Sequence, residues 1–268
     1  MMTDSVPSPV ERPGRPGRPL ALITGATAGI GAEFARQLAA CGHDLILVAR
    51  DRARLDRAAV SLRERYAVDV EVLASDLGTP DGVDAVERRL AASSRPVDLL
   101  VNNAGFGLRR SFDENDVDEE QALLDLLVAV PMRLTHAALG QMLPRRSGTV
   151  VNIASVAGYL SSGTYSAAKA WLLHFSRWAN RQYRSRGVTV TAVAPGFVRT
   201  EFHARMGVRS DFAPSLLWLK TEQLVRIALN DAARGRAVSI PTVRYKLIVV
   251  VLRLLPPGLL AGRAIRGR

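Results

Sequence analysis

Between residues 19 and 240, short apolar runs alternate with stretches of helical periodicity, and this alternation constrains the fold more than any other feature. The runs are LALIT, DLILVA, VEVLA, VDLLV, GTVVNI, VTVTAVA and AVSI. Each is nearly continuous in apolar residues, as a strand covered on both faces must be; a strand wetted on one face would alternate. Between them lie residues 30–41 (IGAEFARQLAAC), 51–66, 81–92 and a long stretch from about Glu114 to Leu143, all with the length and pattern of helices. Strict alternation of strand and helix requires right-handed crossovers. The expected fold is therefore α/β, a single doubly wound parallel sheet of about seven strands flanked by helices.

No internal linker interrupts 19–240, so this stretch is expected to be one catalytic domain. Residues 1–18 end in ERPGRPGRP and cannot bury enough surface to offset their ordering entropy, which predicts a flexible tail. Residues 241–268 form a basic, apolar C-terminal tail. The formal net charge is +11, and six basic residues (Arg244, Lys246, Arg253, Arg263, Arg266 and Arg268) follow Pro241 with no acid among them. No nucleic-acid motif accompanies the charge, so no nucleic-acid partner is expected. The single cysteine, Cys41, allows no internal disulfide and suits a reducing compartment. The N-terminus shows no secretory pattern, and no run of about 20 apolar residues suggests a membrane span. A cytoplasmic protein is expected.

The first strand runs into Thr24-Gly25-Ala26-Thr27-Ala28-Gly29-Ile30-Gly31, where a helix begins. Glycines in such a place permit a tight turn, let the backbone approach a pyrophosphate and let helix and strand pack closely. Backbone N–H groups and the helix dipole then hold the anion. The fold is accordingly expected to be Rossmann-type, with Gly25, Thr27, Ala28, Gly29, Ile30 and Gly31 binding a dinucleotide. The second strand ends at Arg50, where an acid would accept the ribose 2′-OH and an arginine attracts a 2′-phosphate. NADP(H) is favoured as cofactor, with NAD(H) the alternative. Asp51 follows directly and has a second use as a helix cap.

The fifth apolar run leads to Ala154-Ser155, and Tyr165 follows ten residues after Ser155. In a helix, Tyr165 and Lys169 at i, i+4 share one face. A neighbouring ammonium favours the phenolate and is expected to lower the tyrosine pKa, tuning it for proton exchange near neutral pH.

Taken in order, Thr24-Gly-x-x-x-Gly-x-Gly31, Asn102-Asn103-Ala104-Gly105, Ser155, Tyr165-x-x-x-Lys169 and Pro195-Gly196 resemble the motifs of the short-chain dehydrogenase/reductase family. The resemblance implies that Tyr165 exchanges the proton at the substrate oxygen. Lys169 would lower the tyrosine pKa and hold the nicotinamide ribose, and Ser155 would bond the substrate oxygen. It further implies that Asn103, Ala104 and Gly105 border the adenosine side, and that Asp76 and Leu77 lie near the adenine. Pro195, Gly196, Val198 and Thr200 would line the nicotinamide. Two features depart from the family pattern. The asparagine usual in the long helix is Leu127, which can neither donate nor accept a hydrogen bond; Leu127→Asn is expected to preserve or raise turnover. The step from Ser155 to Tyr165 is short, so the loop Val156–Thr164 should be tight and shift substrate shape.

Trp171, Phe175 and Trp178 form an i, i+4, i+7 stripe, read as core or as a subunit face; a homodimer or homotetramer is expected. His43, His136, His174 and His203 lack metal-ligand spacing, so no metal is expected. Residues 197–219, with Phe212, Leu216, Leu217 and Trp218, suggest a hydrophobic lid. The C-terminal tail could lie on a membrane surface as a peripheral contact, close the pocket, or cover a dimer face. The expected activity is hydride transfer between nicotinamide and a carbonyl or secondary alcohol, the substrate being a small hydrophobic molecule. The alternative is a nucleotide-binding regulatory protein with little turnover, which Leu127 alone favours.

Overall fold

The structure, a computed structural model, describes residues 17–200 and 214–254. The expectations for residues 1–16, for 201–213 with His203 and Phe212, and for 255–268 lie outside the described residues. Seven strands form one parallel sheet: β1 (Leu20–Thr24), β2 (Asp44–Ala49), β3 (Val70–Ala74), β4 (Leu99–Asn102), β5 (Gly148–Ile153), β6 (Val188–Val193) and β7 (Val238–Ser239). Their order is β3-β2-β1-β4-β5-β6-β7. Ile23 pairs with Leu47 on one side and Val101 on the other. The apolar runs thus become a doubly wound sheet, as expected.

Successive strand residues point to opposite faces, and each face has its own core. On one side Ile23, Leu47 and Val101 meet Phe34 and Leu38 of α1 (Gly29–Ala40), Leu55 of α2 (Arg52–Tyr66) and Val225 of α7 (Thr221–Ala233). On the other, Leu22, Ile46 and Leu100 meet Val86 of α3 (Pro80–Ala91), Leu134 of α5 (Val130–Met142) and Ala179 of α6 (Gly163–Tyr183). Asp51 caps α2, its carboxylate accepting from Arg54 N at 3.0 Å. Thr79 caps α3, with Pro80 in the first turn, where a missing N–H costs nothing.

The long helix expected from Glu114 to Leu143 is α4 (Val117–Leu124) running into α5 through a π-turn at Asp125–Ala129. By length and composition Val117–Met142 could cross a membrane. One face of it, with Leu123, Leu127, Val130, Leu134, Ala138 and Met142, is instead buried against the protein, while Val117, Leu124 and Met132 are exposed. Within the basic apolar segment, α8 (Val243–Leu254) docks through Tyr245 and Val249, both buried.

The strand order reverses at β1, which has β2 on one side and β4 on the other. Crevices open beyond the carboxyl ends of the strands at such a point. Here the crevice is held by one buried hydroxyl. Thr24 Oγ1 donates to Val101 O at 3.2 Å and accepts from the backbone N of Asn103 and of Ala104 at 2.9 and 3.0 Å. Thr24→Val keeps the shape and orphans both N–H groups, so it should cost about 2–4 kcal/mol of stability. Urea unfolding of the purified variant checks this.

Candidate active site

Most of the expected site residues follow directly on strand carboxyl ends, so the parallel sheet gathers them along one edge. The glycine turn leaves β1 and enters α1. Gly29 has φ +54°, a left-handed backbone that favours glycine, and a Cβ there would lie 3.0 Å from Thr200 Cβ. Thr200, beyond β6, therefore forms the wall opposite the turn. A Cβ on Gly31 would stand 2.3 Å from the Gly25 carbonyl oxygen, so only glycine lets α1 close on the turn. Asn103 Nδ2 donates to the carbonyls of Thr24 at 2.9 Å and Gly25 at 3.2 Å, fixing the turn from the β4 side. Gly105 faces Leu127, whose Cδ2 would be 2.8 Å from a Cβ on that glycine.

Among the described residues no side chain caps α1, whose N-cap is Ala28. Its N–H groups and dipole remain available to an anion, and the glycines leave a cradle that side chains would fill. These residues fit the pyrophosphate of a nicotinamide dinucleotide. Arg50 at the end of β2 is exposed. Asp51 is committed to capping α2, and Arg54 reaches back so that its Nη2 donates to the Thr27 carbonyl at 3.3 Å. Arg54 escaped the sequence reading; it lies one helical turn beyond Arg50, on the capped end of α2.

Several expected residues offer less than their side chains suggest. The Asp76 carboxylate accepts from Gly78 N at 3.0 Å within its own loop. Leu77 and Val198 are buried in the two cores, so only their backbones can face a ligand. Pro195 contributes its carbonyl, which accepts from Val156 N at 2.9 Å.

Ser155, Tyr165 and Lys169 come together where β5 meets α6. Ser155 and Tyr165 are joined by a side-chain hydrogen bond. Lys169 Nζ donates to Ile153 O at 2.8 Å and lies 5.6 Å from the Tyr165 ring centroid. Spacing alone predicts a lowered tyrosine pKa, and the structure corrects this. Burial of its hydroxyl pushes Tyr165 up to about 12, with the Ser155 hydrogen bond opposing, although the residue as a whole keeps some exposure. Burial pushes Lys169 down to about 8. Desolvation is the leading cause of both shifts.

The loop after Ser155 is tight, as its length implies. It forms a 3₁₀ turn at Val156–Tyr159, opened by Ala157 N donating to Ser155 Oγ at 3.1 Å. Gly158 lies directly on α6: a Cβ there would be 2.8 Å from the backbone carbon of Lys169. Leu127 sits in the π-turn, buried with Leu123 and Ala168, with Tyr165 packed alongside. An asparagine there would place an amide among apolar chains, a cost the sequence does not show.

Two further features join segments that lie far apart in the sequence. Asn102 Nδ2 donates to Asn152 Oδ1 at 2.8 Å, and Asn152 Nδ2 donates to Ser176 Oγ at 2.9 Å, tying the ends of β4 and β5 to α6. Tyr245, on α8, covers Gly196 so closely that a Cβ on that glycine would fall within its ring. The Tyr245 hydroxyl accepts from Phe197 N at 3.0 Å and donates to Leu217 O at 2.7 Å. It thereby clamps the loop after β6 to the described end of the expected lid.

The family model described as short chain dehydrogenase matches residues 19–209. The chain is 33% identical over 222 residues to a 3-oxoacyl-[acyl-carrier-protein] reductase of Synechocystis sp., covering 80% of this chain and 90% of that protein. Among solved structures it is similar to a short-chain dehydrogenase from Sphingobium yanoikuyae in complex with NADPH, at 33% identity and TM-score 0.81, with 93% and 98% of the two chains covered. It is also similar to a bulky-bulky ketone specific alcohol dehydrogenase from Comamonas testosteroni, at 31% identity and TM-score 0.77, with 93% and 96% covered. The chain belongs to the short-chain dehydrogenase family. It is an oxidoreductase that carries out nicotinamide-dependent hydride transfer at a carbonyl or alcohol carbon.

Two measurements probe this geometry. Lys169 is lowered from 10.5 to about 8, so between those values the unfolded chain binds a proton that the folded chain does not. Stability conferred by this residue therefore rises with pH across that window and is smallest below pH 8. Subtracting the Lys169→Met variant from the parent in urea unfolding at pH 7.5 to 9.5 should reveal that rise; a flat difference would argue against the shift. Tyr245→Phe keeps the ring over Gly196 and removes both hydrogen bonds. It should cost about 1–3 kcal/mol and raise KM more than it lowers kcat in steady-state assays.

Proposed function

We propose that the protein is an NADP(H)-preferring oxidoreductase of hydrophobic ketones and secondary alcohols, with Tyr165 as proton donor and acceptor. The grouping of Ser155, Tyr165 and Lys169 at the crevice carries the reading. A tyrosine near 12 stays protonated at neutral pH and has a proton to give to a carbonyl oxygen. Ser155, bonded to it, holds that oxygen in line. Lys169, near 8, is mostly an ammonium at pH 7 and stabilises the phenolate that proton transfer leaves. When bound, the nicotinamide supplies or takes up the hydride. Gly25, Thr27 to Gly31, Asn103 to Gly105 and Thr200 would hold that cofactor. Pro195, Gly196 and the backbone of Val198 would line its nicotinamide end, and Asp76 and Leu77 its adenine end.

Arg50 and Arg54 support the preference for NADP(H): two guanidinium groups lie at the β2 end, and the carboxylate next to Arg50 in sequence, Asp51, is engaged as a cap. The similar Sphingobium enzyme was solved with NADPH. Apolar surroundings support a hydrophobic substrate, with Phe106, Leu108 and Leu127 near Tyr165 and Leu216 exposed on the lid side. The similar Comamonas enzyme is specific for bulky ketones. Met132 on α5 and Trp178 on α6 are exposed, with Trp178 continuing the Trp171–Phe175 stack, which suits a homodimer or homotetramer. The unpaired thiol of Cys41 suits the cytoplasm.

NADPH oxidation across a panel of ketones, followed by absorbance, tests the reading. Turnover of hydrophobic ketones is expected, with a lower KM for NADPH than for NADH. Tyr165→Phe should lose about 10²–10⁴-fold in kcat while still binding NADPH. Tight NADPH binding with no turnover on any substrate would favour the regulatory alternative that Leu127 suggests.

A further inference from the structure

The C-terminal helix α8 has two faces of opposite kind. Tyr245 and Val249 are buried against the body of the protein, at 3% and 2% exposure. Val243, Leu247, Val250, Val251 and Leu254 are 51% to 79% exposed. At 3.6 residues per turn these five side chains fall within an arc of about 100°, opposite the buried pair. Arg244 borders that arc on one side, and Lys246 and Arg253 on the other; all three are exposed. The helix carries no acidic residue. Among the described residues no carboxylate lies within ion-pair distance of these three cations. An apolar stripe between two cationic edges is the pattern of a helix lying in a membrane interface.

We infer that the outward face of α8 is a docking surface for an anionic lipid bilayer. The apolar stripe would enter the acyl boundary while Arg244 and Lys246 meet headgroup phosphates. A second copy of this chain fits the face less well. A two-fold contact through α8 would set each cationic edge against its own copy with no acid on the helix to meet it, and like charges so placed repel. Five side chains on a helix of 12 residues also fall short of the roughly 800 Å² per partner of a stable interface.

The placement of α8 gives docking a use. Its inner face holds the loop after β6 and the described end of the lid through Tyr245. Its far end lays Arg253 over the ring of Tyr159 at 4.9 Å, in the turn between Ser155 and Tyr165. The helix thus runs beside both segments that border the substrate. A bilayer on its outer face would stand next to the mouth of the crevice and present hydrophobic ketones or alcohols dissolved in lipid. That link rests on the proposed oxidoreductase activity, whereas the docking itself does not.

The test is co-sedimentation of the full chain with vesicles of phosphatidylcholine alone or mixed with phosphatidylglycerol, at low and high salt. Retention is expected on the anionic vesicles only, weakening with salt. Two double variants separate the contributions: Leu247→Glu with Val250→Glu, and Arg244→Gln with Lys246→Gln. Each should lower vesicle partitioning about tenfold or more, while NADPH binding and turnover of a soluble ketone stay at the parent level. The charge pair keeps the test open if the glutamate pair fails to fold. Equal retention on neutral vesicles would overturn the proposal, as would retention unchanged in the charge variant. So would a glutamate variant that keeps its vesicle binding and changes oligomeric mass in light scattering, since the face would then belong to a second copy. Vesicle retention without turnover on any ketone would leave the docking standing and remove the activity.

Discussion

One buried hydroxyl, that of Thr24, holds the point on which the site depends. It bonds three backbone groups where β1 gives way to the glycine turn and β4 to Asn103. A sheet whose strand order reverses must part at its carboxyl edge, and a parting sheet leaves polar backbone groups without ladder partners. Thr24 and the amide of Asn103 supply those partners, and in doing so they fix how far apart the two walls of the crevice stand. The cradle for the pyrophosphate and the approach to Tyr165 follow from that separation.

The second constraint is desolvation. Tyr165 and Lys169 sit close together, yet each is displaced by burial toward its uncharged form, the tyrosine to about 12 and the lysine to about 8. Charges brought into such a place interact strongly because water is excluded. A phenolate formed during proton transfer would find the ammonium already positioned by the Ile153 carbonyl. The same burial that disfavours charge in the resting protein therefore strengthens charge pairing during reaction.

Most of the architecture was legible in the chain, for a physical reason. Strands covered on both faces must be apolar throughout, so β1, β2 and β5 stand out from their surroundings with their observed ends; the edge strand β3 is half-exposed and still reads as a short apolar run. β7 was harder: AVSI reads as four strand residues and two pair. The glycine turn and the Ser155, Tyr165, Lys169 set were visible because their spacing is local. What escaped depends on contacts between distant segments. Tyr245 meets Gly196 across 49 positions, and nothing in either neighbourhood announces the other. The π-turn around Leu127 changes hydrogen-bond register without changing composition. The sign of the tyrosine shift was misread because spacing reveals the neighbouring charge and says nothing of lost water. Asp51 shows the converse: two roles were open in the sequence, and the hydrogen bond to Arg54 N selected the cap.

Gly158 carries a consequence for how such an enzyme could acquire new substrates. The turn between Ser155 and Tyr165 rests on the backbone of Lys169 with no room for even a methyl group. Drift at that position would push the turn off the helix that carries the lysine, so mutation there trades selectivity against chemistry. The chain can vary more freely at Leu160 to Ser162, beyond the contact, and at Leu216, whose side chain is exposed. A library built to widen the range of accepted substrates would randomise those positions and hold Gly158 constant.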